Sequence, residues 1–289
     1  MTATAGGTGV TTIDGCRLSY RRAGTEGPPV VLLHGGGIDD ATLSWRHTID
    51  DLADDYRVYA PDWPGYGDSD DGLAHSTESY VAILEAFLDN VGLGEDEPVI
   101  LAGISMGGAA ALGYTLDHPE RVRQLILVDS YGLGRHIPAG SLWKTLAHVP
   151  GANALGWATL GTSHEAARMG LGNVVADAGS LPEAFVEEFY ERARTSGAGR
   201  AFEAFQRVEL AGDGTALTNY ADRLETLSVP TLLVHGAEDP LFPVEWSVRA
   251  AEKLPNARLE ILENCGHWPT RERPDEFNGI LRAFLERSH

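Results

Sequence analysis

Gly103-Ile104-Ser105-Met106-Gly107 follows the apolar run Pro98-Val99-Ile100-Leu101-Ala102 and precedes Gly108-Ala109-Ala110-Ala111-Leu112-Gly113-Tyr114. The first run reads as a buried strand and the last as a helix of small residues. Between them the chain must reverse sharply while presenting a serine hydroxyl. A side chain at either glycine would crowd that turn, and glycine tolerates unusual backbone angles. An ordinary Gly/Ser turn has the same five letters. Strand, Gly-x-Ser-x-Gly and helix together are the context of a nucleophile elbow, with Ser105 as its nucleophile.

A serine hydroxyl is a weak nucleophile near neutral pH. It needs a base to take its proton, and the base needs an orienting partner. The carboxyl-terminal third offers both. Pro230-Thr231-Leu232-Leu233-Val234-His235 reads as a buried strand running into Gly236-Ala237-Glu238-Asp239-Pro240. Asp239 thus falls just past a strand end, where functional groups gather in open parallel sheets. Ala257 to Leu262 alternates like a strand and ends in Glu263-Asn264-Cys265-Gly266-His267-Trp268-Pro269. His267 is the expected base and Asp239 the expected acid. Glu238, next to it, and Asp129, at the end of an earlier strand, are the alternatives for the acid.

An acyl transfer also needs donors for the oxyanion of its tetrahedral intermediate. Val30-Val31-Leu32-Leu33 is a buried strand followed by His34-Gly35-Gly36-Gly37, whose glycines let backbone N–H groups approach a substrate. One donor is assigned to Gly36, with Gly37 as the fallback. The other is Met106 N–H, directly after the nucleophile and at a helix N-terminus.

With these motifs in the order Ser105, Asp239, His267, the chain resembles the α/β-hydrolase superfamily over nearly its whole length. The resemblance rests on His34-Gly35-Gly36-Gly37, Asp62-Trp63-Pro64-Gly65-Tyr66-Gly67-Asp68-Ser69, Gly103 to Gly107, Gly236-Ala237-Glu238-Asp239 and Gly266-His267. It implies an α/β fold: a mostly parallel central sheet with an antiparallel N-terminal hairpin, helices on both faces and a helical cap insertion. Asp62 to Ser69 is read as a structural turn near the pocket.

At 289 residues and 43% hydrophobic composition, one catalytic domain with an insertion fits better than two domains. Asp14-Gly15 between short strand-like runs is a hairpin signal. Parallel strands are expected near 29–33, 56–60, 98–103, 123–129, 230–235 and 257–262, with helices around 77–91 and 106–117. Pro274 opens a last amphipathic helix. The strand and helix alternation breaks between about 132 and 218. The expected organisation is therefore a core of 1–131 and 219–289 with a helical cap of 132–218. Trp143, Phe185, Phe189, Tyr190 and Trp268 are the expected pocket lining, although core packing alone explains any one such ring.

Acidic residues number 42 against 22 basic, a formal net charge of −20. Such a surface repels phosphate, so nucleic acid and anionic membranes are disfavoured partners. The partner expected is a small-molecule substrate; the oligomeric state stays open, a homodimer included. Only Lys144 and Lys253 are lysines. Scarce lysine with abundant acid suits a salt-loving organism, and high G+C coding bias produces the same pattern. Met1 to Gly9 carries no secretory signature and no run is long enough to span a membrane, so a cytoplasmic location is expected. Cys16 and Cys265 have no metal spacing, and no metal, nucleotide or flavin motif is present. No cofactor is implied.

The chemistry these residues suit first is hydrolysis of a carboxylic ester through an acyl-enzyme. A carbon–carbon bond hydrolase of the meta-cleavage-product group is the alternative, because Ser105-Met106-Gly107-Gly108, the glycine loop and Gly266-His267-Trp268 look like that group. Two departures weigh against it. Ile38-Asp39-Asp40-Ala41 replaces that group's Pro-Gly-Ala-like stretch, and the place of its cap arginine falls near Phe189, with Arg192 and Arg194 merely nearby. A ligand receptor on a hydrolase scaffold is the third reading.

Overall fold

The computed structural model describes residues 6–149 and 152–286. Met1 to Ala5, part of the stretch read for a secretory signal, lie outside the described residues. Eight strands form one sheet in the order β1-β2-β4-β3-β5-β6-β7-β8. These are β1 (Gly7–Ile13), β2 (Cys16–Ala23), β3 (Pro29–Leu33), β4 (Arg57–Pro61), β5 (Val99–Ile104), β6 (Val122–Val128), β7 (Thr231–Gly236) and β8 (Ala257–Leu262). β1 and β2 pair antiparallel, β2 pairs antiparallel with β4, and the remaining pairings are parallel. The β1–β2 hairpin turns through Asp14 (φ 48°) and Gly15 (φ 81°), the two positive φ values that a two-residue type I′ turn requires.

The central strands are apolar without alternation because both faces are covered. Val31 and Leu33 point into one core, with Tyr80, Leu84 and Phe87 of α2 (Thr77–Val91) and the small residues of α3 (Met106–Asp117). Val30 and Leu32 point into the other, with Leu43 and Trp45 of α1 (Ala41–Leu52) and Phe277 and Leu281 of α11 (Pro274–Leu285). Ser76 caps α2 by accepting the Ser79 N–H, and Gly92 ends it in the left-handed conformation.

Between β6 and β7 the chain forms α4 (Gly140–His148), α5 (Ala152–Leu160), α6 (His164–Leu171), α7 (Glu183–Ala193) and α8 (Arg200–Glu209). Among the described residues this segment holds no sheet strand, only an isolated bridge between Leu210 and Ala216. It is anchored on both sides of the sheet. Phe205 of α8 enters the first core, whereas Phe185, Val186 and Phe189 of α7 enter the second. The chain closes with α9 (Glu245–Lys253), the short α10 (Pro269–Glu272) and α11. Among the described residues no helix is long and apolar enough to cross a membrane.

Candidate active site

Ser105 stands between β5 and α3 with φ 53° and ψ −120°, a conformation that non-glycine residues rarely adopt. Three backbone bonds hold it there. Its N–H donates to Val128 O (2.9 Å), and its carbonyl accepts from Tyr131 (3.1 Å) and Ala109 (3.2 Å). The flanking glycines are steric necessities: a Cβ at Gly103 would overlap the Gly107 carbonyl, and one at Gly107 would overlap the carbonyls of Leu33 and His34.

The loop after β3 lies against this turn. A Cβ placed on Gly35 would stand 3.3 Å from Ser105 Cβ. Gly35 N–H donates to Asp39 Oδ2 at 2.8 Å, and Ser44 Oγ donates to the same carboxyl. Burial pushes the Asp39 carboxyl up to about 8, against these donors. His34 is fully buried. Its Nε2 accepts the Trp63 N–H at 3.0 Å, so the ring proton is on Nδ1, 2.8 Å from Gly35 O. Burial lowers this imidazole to about 4. Gly36 is roofed by the Phe202 ring of α8, which a Cβ there would overlap, and Gly37 has φ 82°. Gly36 N–H makes no hydrogen bond among the described residues. Met106 N–H, first in α3, belongs to the turn that has no intrahelical acceptor.

Asp239 and His267 meet beyond the ends of β7 and β8. Asp239 Oδ2 is 2.8 Å from His267 Nδ1, while Oδ1 accepts the N–H groups of Leu241 (2.7 Å) and Phe242 (3.2 Å). Burial opposes ionisation of Asp239, but His267, His235 and the Leu241 N–H outweigh it and hold the carboxyl below its ordinary value. Glu238 is occupied elsewhere, its Oε2 accepting Cys265 N–H at 3.0 Å. Asp129 Oδ1 accepts Gly236 N–H at 2.9 Å. The short contact to the imidazole is therefore made by Asp239. The His267 loop is clamped by Glu272, which accepts the Gly266, Trp268 and Ala176 N–H groups, and by His267 N–H donating to Val174 O (2.7 Å). Cys265 is buried and its thiol is pushed up by that burial.

The rings near these groups differ from those expected. Tyr190 is half-buried at the edge of the second core, with the tilted His164 ring (4.3 Å between centroids) beside it and Arg194 over its face, both of these neighbours being about half exposed. Phe185 is buried edge-on to Trp268 (5.4 Å) beneath the Arg271 guanidinium, and Phe189 belongs to the same core. Trp268 Nε1 donates to Ser44 Oγ at 2.9 Å. Trp143 lies on α4, which packs against α5 and α8. The rings found at the site are Phe242, edge-on to His267 at 5.2 Å, Phe202 over Gly36, and Trp157, 3.9 Å from a Cβ built on Gly37. Phe242 could have been read from its place three residues after Asp239, and Phe202 from its helical spacing to Phe205.

Two arginines considered as substrate anchors are both taken. Arg192 is held by the Asp40 carboxylate through Nε and Nη2, and Asp40 also caps α1 through Leu43 N–H. Arg194 pairs with Glu191 at 3.1 Å.

The chain belongs to the α/β-hydrolase family: the family model described as the alpha/beta hydrolase fold matches residues 28–274. It is 29% identical over 282 residues to a 2-hydroxy-6-oxononadienedioate/2-hydroxy-6-oxononatrienedioate hydrolase of Burkholderia vietnamiensis, covering 94% of this chain and 91% of that protein. Its fold matches the meta-cleavage product hydrolase CumD of Pseudomonas fluorescens with a TM-score of 0.78 and 27% identity, covering 95% of this chain and 96% of the other. A membrane phospholipase A described as a bacterial virulence factor matches with a TM-score of 0.79 and 25% identity, covering 98% of this chain and 86% of that one.

Proposed function

We propose that this α/β-hydrolase cleaves a neutral apolar acyl compound, in the first instance a carboxylic ester, with Ser105, His267 and Asp239 as its triad. Ser105 attacks the carbonyl while His267 Nε2 takes its proton. Asp239 keeps the other proton on Nδ1 and stabilises the imidazolium. Gly36 and Met106 N–H groups receive the oxyanion, and His267 then activates water for deacylation. Residues 132–218 act as a cap, with Phe202 and Trp157 forming an apolar roof over the glycine loop.

The observation that carries the choice of substrate is the capture of Arg192 by Asp40. A guanidinium already bound to a buried carboxylate is a poor anchor for an anionic substrate. Phe189 stands buried in the same helix, and the chain carries a net charge of −20. The second reading, carbon–carbon bond hydrolysis of a 2-hydroxy-6-oxo-dienoate, is favoured by the likeness to the Burkholderia enzyme over nearly the whole of both chains.

One comparison separates them: kcat/KM for neutral p-nitrophenyl esters and for a 2-hydroxy-6-oxo-dienoate, on one preparation at one salt concentration. The ester reading expects esters to be faster by at least about two decades, because the lost charge-assisted contact alone is worth roughly 1.5–3 kcal/mol. Equal or better cleavage of the dienoate overturns it.

A further inference from the structure

Asp129 follows the last residue of β6 with a left-handed backbone (φ 40°) and a fully buried side chain. It is tied to β7 twice: its N–H donates to Val234 O at 3.0 Å and its Oδ1 accepts Gly236 N–H at 2.9 Å. Its Oδ2 is shut off from solvent and meets no N–H or O–H donor among the described residues. Oxygens of the Asp129 and Asp239 carboxyls and a ring nitrogen of His267 lie within 4.8 Å of one another.

His235 does not supply the missing donor. Its Nε2 is 3.5 Å from both Asp129 Oδ1 and Asp239 Oδ2, but it also faces the Phe242 carbonyl at 3.2 Å, while Nδ1 accepts from Ser247 Oγ at 2.7 Å. That leaves one ring proton, directed to a carbonyl. Burial holds this imidazole below its ordinary value. An ionised Asp129 would therefore be a second buried carboxylate beside Asp239, with a single hydrogen-bond donor. Two such charges cannot both be kept in a site closed to water. A carboxylic acid resolves both conflicts, since its O–H is a donor and Asp239 is an acceptor.

We propose that Asp129 is a positioning residue, a neutral carboxylic acid whose O–H donates to Asp239 and so fixes the carboxylate that orients His267. The proposal rests on the reading of Ser105, His267 and Asp239 as the triad. The proton stays on Asp129 throughout turnover; only its hydrogen bond acts on Asp239. The neighbouring groups agree. Burial, then Asp239, then more weakly Glu272 favour the protonated form, and the Gly236 N–H opposes it. The remaining titratable group facing it, the Cys265 thiol, is held neutral by burial. Asparagine at 129 preserves both contacts, its amide N–H toward Asp239 and its oxygen toward Gly236. Alanine removes both. Ionisation of Asp129 at high pH removes the donor and adds a like charge.

Two measurements test this. In the infrared difference spectrum of wild type minus Asp129→Asn at neutral pH, a wild-type carbonyl band of a protonated carboxylic acid should remain, because the bands of the buried acids Asp39 and Asp62 are common to both proteins and cancel. In kinetics, Asp129→Ala should lose about tenfold in kcat, near the worth of one charge-assisted hydrogen bond. Wild type should show an alkaline fall in kcat/KM, and Asp129→Asn should recover most of the alanine variant's loss and abolish that fall. Absence of the wild-type band overturns the proposal whether or not the alanine variant folds. So does an Asp129→Asn enzyme as crippled as Asp239→Asn, which would mean that 129 must be charged, or Asn and Ala variants that are alike in rate and pH profile. Failure of the triad reading looks different: Ser105→Ala would then stay active while the infrared band persisted.

Discussion

Asp239 Oδ2 stands 2.8 Å from His267 Nδ1, and the N–H groups of Leu241 and Phe242 hold the other oxygen of the same carboxylate. This carboxylate is fixed by its own loop before it touches the imidazole. It holds the proton on Nδ1 and leaves Nε2 as the lone pair. Asp239→Asn presents an amide N–H to Nδ1 and favours the other tautomer. Turnover should fall by about four decades with the circular dichroism spectrum unchanged. A nearly silent Asp239→Asn would show that the acid is elsewhere.

Ser105→Ala should cost at least about three decades in turnover, because the acyl-enzyme route disappears. A fluorophosphonate should label wild type at Ser105 and leave the alanine variant unlabelled. Labelling at another serine, read by peptide mass spectrometry, would sink the assignment.

Gly36 and Phe202 should be coupled. A methyl group on Gly36 would overlap the Phe202 ring, so Gly36→Ala must displace either the ring or the loop. If the loop moves, its N–H leaves the position proposed for an oxyanion donor, and kcat/KM should fall by about a hundredfold. Adding Phe202→Ala gives the methyl room and should restore part of the loss, with a coupling energy in the range of about 0.5–3 kcal/mol. Strict additivity of the two changes would mean that the ring does not hold the loop.

Stability should fall with rising pH through the neutral range. Burial pushes Asp39 up to about 8 and Asp62 up to about 7. Between pH 6.5 and 8 the folded protein keeps protons that the unfolded chain has already released. The derivative of unfolding free energy with pH is then negative, up to about 1.4 kcal/mol per pH unit for each group. Buried His34, lowered to about 4, has the opposite sign but acts mainly below its unfolded value of 6.5. Tm should drop from pH 6.5 to 8, and Asp39→Asn should flatten that slope. A Tm that rises over this range in wild type contradicts the assignment.

Salt should stabilise the fold. With a net charge of −20, self-repulsion eases as the Debye length shrinks from about 10 Å at 0.1 M to about 3 Å at 1 M. Tm should increase over that range in scanning calorimetry. A flat response would leave coding bias as the account of the scarce lysines.

The elements that were easiest to read are those whose chemistry is local. Asp14-Gly15 demanded a tight hairpin, and the turn has the two positive φ values expected of it. Thr77–Val91 and Met106–Asp117 are helices where periodicity and the elbow put them, and Ala257–Leu262 is a strand at the expected residues. Pro29–Leu33 likewise stands at the expected residues, whereas the other parallel strands moved by one residue, as for Arg57–Pro61, because ladder pairing decides the last residue. The pocket rings were the hardest. Phe185 and Phe189 carry the same helical spacing as a lining pair, but both are buried in the second core, Phe185 against Trp268 and Arg271.

Local sequence determined the order of the Ser105, Asp239 and His267 motifs, the sharp turn at Ser105 and the glycine loop after β3, because each follows from the backbone freedom or side-chain chemistry of a few adjacent residues. Only the tertiary structure decided which carboxylate meets the imidazole, which ring roofs Gly36 and where Arg192 spends its charge. His267 and Asp239 are 28 positions apart, Asp129 and Gly236 107, and Arg192 and Asp40 152. Contacts at such separations depend on how the sheet is ordered and how α7 and α8 dock on it, and no window of sequence contains both partners.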